Sequence, residues 1–510
     1  MYATRPILSY IDQVENTRRK VSLTLDKKNK ISLGQYFTPF SIGSFMAQMF
    51  TQDARIVTIL DAGAGIGSLT AALVMNLCYK QSPPKLIRAV LYEIDSSLHF
   101  ELNKTMQLCQ SLCQTYGIEF RYNLKGEDFI VESSLLINTN ESEIKKYNYI
   151  IMNPPYQKLS TKSWHRRVLS MIGIESSNLY SAFLSLAFRL LAYGGEIVAI
   201  IPRSFCNGPY FRSFRMDLLK NVSLERFHIF NSREKAFHDD GVLQENIILH
   251  AQQGFQQNKI TISSSEAPGS SVYSHVVSFD DIVHDSDTDC FIHLAISQKD
   301  LRVLNFFKGL ANTLKDLNIN VSTGKLVDFR SKEYLSKDPQ ENTVPLIYPY
   351  HFRDGSICWP VKNNRKPNAL INCEATKTFL VPNGNYVLVR RFSSKEENRR
   401  INAVLFKGKD VPFDKIAFEN HLNYYHSFGV GLEENLAYGL TAYLNSSLVD
   451  KYFRIFNGHT QVNATDLRKL KYPTVEELNS IGEIAKQPDK EKDLNNEICS
   501  ILGFNTSNCT

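Results

Sequence analysis

Short apolar runs and longer amphipathic stretches alternate along the first half of the chain. The apolar runs are IVTILDAG (56–63), IRAVLYEID (87–95), YNYIIMNPPY (147–156) and GGEIVAIIP (194–202). Nearly continuous runs of this kind are typical of strands that are covered on both faces, and the stretches between them are long enough for helices. The alternation predicts an α/β fold built on a mostly parallel, doubly wound sheet.

The pattern changes after the fourth run. The segment VLQENIILH (242–250) follows an irregular polar stretch and predicts a strand added at the edge of the sheet. Between residues 251 and 289 the chain turns polar, with SSSEAPGSS and HDSDTD, which predicts a domain boundary. We therefore expect one domain over residues 1–285 and an α+β domain, rich in aromatic and basic residues, over 286–510.

Length and composition agree with two soluble domains. The chain has 510 residues, more than one hydrophobic core usually supports. Hydrophobic residues make up 43% and charged residues 22%, which is ordinary for a globular protein. No apolar run approaches the ~18 residues of a membrane span, and the amino terminus lacks an apolar leader. These features predict a cytoplasmic protein with no membrane partner.

Cysteine content and charge add weaker constraints. The nine cysteines are scattered, and Cys109 and Cys113 have helical rather than zinc-ligand spacing, so we expect reduced thiols and no metal site. The net charge of +6 is modest, but basic residues cluster at 16–30 and 451–472. Such clusters are more often solvated surfaces than binding sites, so they favour a polyanionic partner only beside other evidence.

Polar side chains stand at the carboxyl ends of successive predicted strands. Asp61 ends the first strand, Glu93 lies near the end of the second, Asp128 follows a third and Asn153 ends the fourth. Open α/β sheets bind ligands at this edge, where an acid such as Glu93 accepts hydrogen bonds from ribose hydroxyls. Asp128 can accept from an adenine amino group while the neighbouring ring of Phe129 stacks on the base. The order of these residues predicts a nucleoside site.

The loop after the first strand contains Gly63 and Gly65 in the sequence AGAGIG. Glycine lets the backbone turn tightly and approach a ligand, and a following helix offers amino-terminal N–H groups. Alone, such a loop is compatible with a dinucleotide, with another nucleoside cofactor or with close strand-to-helix packing. The loop lacks G-x-G-x-x-G spacing and occurs with an NPPY turn, for which a hydride-transfer enzyme has no use. The combination favours S-adenosylmethionine over NAD.

The fourth run ends in Asn153-Pro154-Pro155-Tyr156. Proline has no N–H and fixes its own φ, so we expect this segment to leave the sheet with its carbonyls unpaired. The Asn153 side-chain oxygen and the Pro154 carbonyl can then hold both hydrogens of an exocyclic amine. The ring of Tyr156 can stack on the base that carries the amine.

In this order, the motifs resemble those of the gamma group of DNA amino-methyltransferases, the adenine-N6 enzymes of restriction-modification systems. GQYFTP (34–39) is similar to the group's first motif, which implies that Tyr36 and Thr38 hold the methionine end of the cofactor. The acidic strand ends and NPPY resemble the next motifs, and Phe183 in NLYSAFL (178–184) matches the partner of the cofactor adenine. The loop AGAGIG departs from the group's more frequent proline-alanine-cysteine-glycine sequence.

The resemblance implies a Rossmann-like S-adenosylmethionine-dependent methyltransferase domain followed by a target-recognition domain. It implies methyl transfer to the N6 atom of an adenine flipped out of double-stranded DNA, with Asn153, Pro154 and Tyr156 as catalytic residues. Phe237, in SREKAF, matches the group's second ring for stacking on the target base. We expect a monomer whose cognate restriction endonuclease is encoded separately.

Residues that contact DNA are expected beyond residue 290. Arginine can read guanine, and Asn or Gln can read adenine, but most basic side chains contact phosphates. The candidates are Arg390, Arg391, Arg454, Asn457, Gln461 and Asn463. Three alternatives stay open. NPPY also occurs in glutamine and ribosomal RNA methyltransferases, so the first alternative is an RNA or protein N-methyltransferase. The other two are a DNA cytosine-N4 methyltransferase and a non-catalytic DNA-binding module.

Overall fold

The four apolar runs form neighbouring strands in the computed structural model of the chain. They are β1 (Ile56–Ala62), β2 (Leu86–Tyr92), β4 (Tyr147–Met152) and β5 (Leu191–Pro202), and β3 (Glu119–Lys125) is the remaining predicted strand. These strands are parallel and lie in the order β3-β2-β1-β4-β5. The prediction of a mostly parallel sheet is confirmed.

The structure describes residues 4–24, 36–139, 146–231, 245–284, 287–362, 365–487 and 493–505. The chain divides into two units, Met1–Ile296 and Ser297–Thr510. The predicted boundary at residue 285 falls within the first unit, because the chain beyond it bonds back to that unit. Arg215 donates to the Asp289 carbonyl, and the Ile292 N–H donates to the Cys206 carbonyl.

The strand order reverses at β1. β2 pairs with one side of β1 and β4 pairs with the other, so the chain runs to one edge of the sheet and then returns past its starting strand. The carboxyl ends of β1 and β4 flank this switch point, which is the usual ligand site of doubly wound sheets. Asp61 and Asn153 therefore come from adjacent strands.

Four further strands extend the sheet to the order β3-β2-β1-β4-β5-β7-β6-β8-β9, and they are β6 (Ser223–Phe230), β7 (Asn246–Gln252), β8 (Lys259–Ser265) and β9 (Tyr273–Ser278). β7 pairs antiparallel with both β5 and β6, so the prediction of an edge strand was wrong. Every residue of β7 is buried, including the polar residues Asn246, His250 and Gln252. Residues 242–244 of that run lie outside the described residues.

Helices cover the sheet of the first unit. They are α1 (Thr4–Thr24), α2 (Phe40–Ala47), α3 (Ser68–Cys78), α4 (His99–Thr115), α5 (Phe129–Thr139), α6 (Trp164–Met171), α7 (Leu179–Leu190), α8 (Arg212–Asn221) and α9 (Phe279–Ile282). Leu73 of α3 and Met106 of α4 are completely buried in one core with Ile59 and Ile151 of the sheet. This apolar core holds the carboxyl ends of the strands in a fixed arrangement.

Over its described residues, the second unit contains two sheets and a hairpin, with helices beside them, so the prediction of a second α+β domain is confirmed. The first sheet has the order β10-β20-β17-β18 and the second has the order β11-β15-β12-β19-β16. The strands are β10 (Asn320–Thr323), β11 (Leu335–Ser336), β12 (Thr343–Ile347), β13 (Phe352–Arg353), β14 (Ser356–Ile357), β15 (Ala369–Ile371), β16 (Leu380–Pro382), β17 (Tyr386–Arg390), β18 (Ala403–Phe406), β19 (Lys415–Phe418) and β20 (Leu422–His426).

The helices of the second unit are α10 (Gln298–Gly309), α11 (Glu434–Leu444), α12 (Ser447–Phe456), α13 (Ala464–Lys469), α14 (Val475–Ala485) and α15 (Leu494–Ile501). Short 3-10 helices occur at Ser96–Leu98, Arg203–Cys206, Pro209–Phe211, Asp328–Arg330, Lys332–Tyr334, Pro349–His351, Glu374–Phe379 and Gly408–Asp410. Over the ranges described above, none of the helices combines the length and the apolar character that a membrane span requires.

Candidate active site

Asp61 stands at the carboxyl end of β1 and is completely buried. Its Oδ2 atom accepts a hydrogen bond of 2.7 Å from the Thr70 hydroxyl of α3. Its Oδ1 atom is also buried, and nothing in the described part of the chain hydrogen-bonds to it. Burial raises the pKa of Asp61 to about 7. A buried carboxylate oxygen without a partner fits a ligand that carries a donor or a positive charge.

The backbone N–H groups of the glycine loop between β1 and α3 hold it against the end of β2. The N–H groups of Gly63 and Ala64 both donate to the Tyr92 carbonyl at 2.9 Å, and the Gly65 N–H donates to Glu93 Oε2 at 2.8 Å. Gly65 has a φ of 57°, and a Cβ atom there would lie 3.0 Å from the Phe37 ring. Glycine is needed here for both the left-handed backbone and the close approach of the ring.

Glu93 connects the ends of two strands. Besides the bond from Gly65, its Oε1 atom accepts from the Asp95 N–H at 2.8 Å. The side chain is almost fully buried, and this burial raises the pKa of its carboxyl above the ordinary value. Each oxygen of an ionised carboxylate has two acceptor positions, so Glu93 retains capacity for donors of a ligand.

Asp128 directly precedes α5 and has two sets of partners. Its Oδ1 atom accepts from the N–H groups of Ile130 at 2.9 Å and Val131 at 3.1 Å, which satisfies donors at the helix amino terminus. Its Oδ2 atom lies 2.7 Å from Nε2 of His165. The next residue, Phe129, contacts Phe183 of α7 with ring centroids 4.9 Å apart. These contacts assemble an acid and two rings on one wall.

Asn153 follows β4 and is held by the segment that precedes α2. Its Nδ2 atom donates to the Tyr36 carbonyl at 2.9 Å and to the Thr38 hydroxyl at 3.0 Å. Tyr36 and Thr38 therefore position the Asn153 amide, a role that the motif reading did not include. Residues 34 and 35 of the same motif lie outside the described residues.

The Asn153 side-chain oxygen faces the hydroxyl of Tyr156, which donates to it over 2.8 Å and also lies 3.1 Å from the Ile200 carbonyl. Burial raises the pKa of Tyr156 above its ordinary value, so this hydroxyl stays protonated. The ring stacks against Tyr36 with centroids 6.2 Å apart. No donor in the described part of the chain pairs with the Pro154 carbonyl.

One cleft with a volume of about 240 Å³ joins most of the predicted site residues of the first unit. By the same measure, one water molecule needs only ~10–15 Å³, so the cleft is of ligand size. The predicted residues in its walls are Tyr36, Gly63, Gly65, Glu93, Asp128, Phe129, Asn153 and Phe183. Thr38 and Asp61 are buried and do not line the cleft. Thr38 accepts from the Asn153 amide, and Asp61 accepts from the Thr70 hydroxyl. Phe237 lies outside the described residues.

Comparison with known proteins identifies the family. The family model of the Eco57I restriction-modification methylases matches residues 14–237. The chain is 44% identical over 484 residues to the type II methyltransferase M.PstI of Providencia stuartii, with 94% of each chain covered. It is 45% identical over 478 residues to the type II methyltransferase M.BsuBI of Bacillus subtilis, with 92% of this chain and 93% of that protein covered. The chain belongs to the type II methyltransferases of restriction-modification systems.

The motifs indicated a methyltransferase of a restriction-modification system, and that membership is confirmed. Methyltransferases of these systems act on DNA. The fold of this methyltransferase also resembles a solved structure, that of the type IIL restriction-modification enzyme MmeI in complex with DNA. The TM-score is 0.55 at 12% identity, with 97% of this chain and 74% of that chain covered. At this identity, the likeness establishes a shared fold.

Several cleft residues of the methyltransferase were missed by sequence reasoning. His165, Tyr92 and Leu179 line the cleft with the predicted residues. Tyr92 and Leu179 are adjacent to predicted motif residues, which is a signal that sequence reading could have used. His165 lies 37 residues from its partner Asp128, and no spacing rule connects the two. In the part of the chain that the structure describes, no cluster of His, Cys, Asp or Glu suits a metal ion.

In the second unit, the predicted DNA contact Arg390 is partly exposed and has a cleft beside it. Arg390 lines that cleft with Tyr350, Arg353 and Asn402. Its guanidinium lies 3.8 Å from Glu397, and 36% of each side chain is exposed. Ion pairs this exposed contribute little stability, so Arg390 can exchange its partner for a nucleic acid at low cost.

The other predicted DNA contacts are bonded within the second unit. Arg391 Nη1 donates to the Asn420 carbonyl. Arg454 donates to the Asp450 carboxylate and to the carbonyls of Lys395 and Glu397. Gln461 forms a β-bridge with Phe392, and Asn463 caps α13. Asn457 is only 1% exposed. Its side-chain oxygen accepts from Arg400 Nη2 at 2.9 Å and from the His459 N–H at 3.2 Å. These bonds suit a structural role for Asn457.

We expect Asn457→Ala to reduce the free energy of unfolding by about 1–3 kcal/mol, because the guanidinium of Arg400 would lose an acceptor inside the protein. Arg400 is only 3% exposed, so water cannot readily replace that acceptor. Denaturant unfolding measures the effect, and the matched control is Arg390→Ala, which should leave stability unchanged and weaken DNA binding. A variant of Asn457 with wild-type stability but lower DNA affinity would show instead that the residue contacts DNA.

Proposed function

We propose that this methyltransferase transfers a methyl group from S-adenosylmethionine to the N6 amino group of an adenine in double-stranded DNA. The observation that carries the proposal is the fixed Asn153 amide. Two hydrogen bonds hold its nitrogen, and its oxygen accepts from the Tyr156 hydroxyl. The same oxygen is suited to accept from an amino group.

The reacting amine needs acceptors more than it needs a nucleophilic side chain. The lone pair of an adenine amino group is delocalised into the ring, which makes the nitrogen a poor nucleophile. Hydrogen bonds from both amino hydrogens, one to Asn153 Oδ1 and one to the Pro154 carbonyl, favour a pyramidal nitrogen whose lone pair is free for attack. Positioning and electrostatics then supply most of the rate enhancement.

The cleft residues fit S-adenosylmethionine, which supplies an electrophilic methyl group when it is bound. Glu93 would accept from the ribose hydroxyls, and Asp128 would accept from the adenine amino group. Phe129 and Phe183 would contact the adenine ring. The unpartnered oxygen of Asp61 fits the positively charged methionine end, which lies near Tyr36 and Thr38 in this assignment.

The target adenine must leave the duplex to reach Asn153, which costs a few kcal/mol. Tyr156 would stack on the extruded base after its hydroxyl releases Asn153 Oδ1, and a base–aromatic contact typically contributes ~1–3 kcal/mol. Phe237 is the proposed second ring. Arg390 and the cleft beside it would contribute to DNA binding in the second unit.

Methylation by this enzyme would protect host DNA from a cognate endonuclease, which we propose is encoded separately. The methyltransferase would act as a monomer in the cytoplasm.

The deciding experiment offers plasmid DNA, RNA and protein to the enzyme with cofactor labelled in the methyl group. We expect label only in DNA, and single-molecule sequencing should map it to N6 of adenine within one sequence. Label in RNA or protein alone, or on N4 of cytosine, would contradict the proposal.

A further inference from the structure

The Asp128 carboxylate is nearly saturated with hydrogen-bond donors. It accepts from the N–H groups of Ile130 and Val131 through Oδ1 and from His165 Nε2 through Oδ2. An ionised carboxylate offers about four acceptor positions. Three are taken by the protein, which leaves one for a ligand in the cleft that Asp128 and His165 both line.

His165 reaches this carboxylate from a separate element. It is the second residue of α6, whose amino terminus is capped by the Ser163 side chain. The loop before the helix is anchored where the Leu159 N–H donates to the Ser177 carbonyl. The His165 side chain is 32% exposed and that of Asp128 is 28% exposed, so both border the opening of the cleft. The histidine is thus placed to fix the direction of Oδ2.

We propose that His165 is a positioning residue that makes the cofactor site selective for adenine over a 6-oxopurine. This inference rests on the proposed binding of S-adenosylmethionine in the cleft. With Oδ1 held by the helix and Oδ2 held by His165, the carboxylate cannot rotate. Its single remaining acceptor position matches one donor, the exocyclic amino group of the purine.

The alternative purine explains why rotation matters. Hypoxanthine has a carbonyl in place of the amino group, so an acceptor would face the fixed carboxylate, while its N1–H donor lies at the neighbouring ring position. A carboxylate released from His165 can turn and accept from N1–H. Removing the histidine should therefore weaken the discrimination between the two bases more than it weakens binding of the adenine form.

Titration calorimetry with S-adenosylhomocysteine and S-inosylhomocysteine tests this directly. We expect the wild-type protein to prefer the adenine form by roughly tenfold or more, and His165→Ala to reduce that ratio to about threefold or less. His165→Gln should restore the ratio, because its amide N–H can reach the position of Nε2. The matched control is Met171→Ala on the same helix, an exposed residue whose loss should leave the ratio unchanged.

A wild-type ratio in His165→Ala would overturn the inference, and so would a failure of His165→Gln to rescue it while Met171→Ala behaves normally. Neither result would affect the proposed function, since wild-type binding of S-adenosylhomocysteine is measured in the same series. If the wild-type protein does not bind S-adenosylhomocysteine at all, the proposed cofactor and this inference both fail.

Discussion

Replacing Asn153 by alanine is expected to reduce the rate of methyl transfer at least a hundredfold, and roughly a thousandfold if the lost oxygen acts mainly on the transition state. The side-chain oxygen would hold one amino hydrogen as the nitrogen becomes pyramidal, and alanine has no polar atom to take its place. Single-turnover transfer to a duplex with the target sequence measures the effect. Binding of S-adenosylhomocysteine should remain close to wild type.

The alanine variant also removes the donor that holds the Tyr36 carbonyl and the Thr38 hydroxyl. Thr38→Val separates the two consequences, because it removes one of these bonds and leaves the Asn153 oxygen in place. We expect Thr38→Val to lose about tenfold or less in rate. Equal losses of rate in both variants would assign the effect to the positioning of the Asn153 amide. Methyl transfer by Asn153→Ala near the wild-type rate would refute the catalytic assignment.

Much of this site follows from strand patterns because parallel strands align their carboxyl ends. Asp61, Glu93 and Asn153 each come at or just after the end of a short apolar run, so their meeting at one edge could be predicted without any distance. Burial on both faces makes those runs recognisable. The glycine loop was located in the same way, because it directly follows the first of these runs.

The features that sequence reasoning missed depend on long-range contacts. An apolar run indicates burial but not the neighbours of a strand, so β7 was assigned to an edge although β5 and β6 flank it. The proximity of His165 to Asp128 depends on how one helix docks against another. Asn457 occurs in a basic segment, where an exposed position is expected, yet folding buries it against Arg400.

Two substitutions of Tyr156 are expected to have opposite effects on the capture of the target base. Tyr156→Ala removes the ring and should weaken binding of the extruded base by roughly 5- to 150-fold, the equivalent of a lost stacking contact of ~1–3 kcal/mol. Tyr156→Phe keeps the ring and removes the hydroxyl that occupies Asn153 Oδ1 and contacts the Ile200 carbonyl. Without that competing donor, capture should improve by about 2- to 10-fold.

A fluorescent adenine analogue at the target position reports extrusion in both variants, with the cofactor product present to hold the complex. Tyr180→Phe is the matched control. The hydroxyl that it removes lies 3.3 Å from the Ser204 hydroxyl and does not bond to Asn153, and its ring keeps its edge contact with Tyr156. We expect wild-type extrusion in this control. If Tyr156→Phe captures the base as poorly as Tyr156→Ala does, the hydroxyl orients Asn153 for the reaction, and it does not compete with the adenine amino group for the same oxygen.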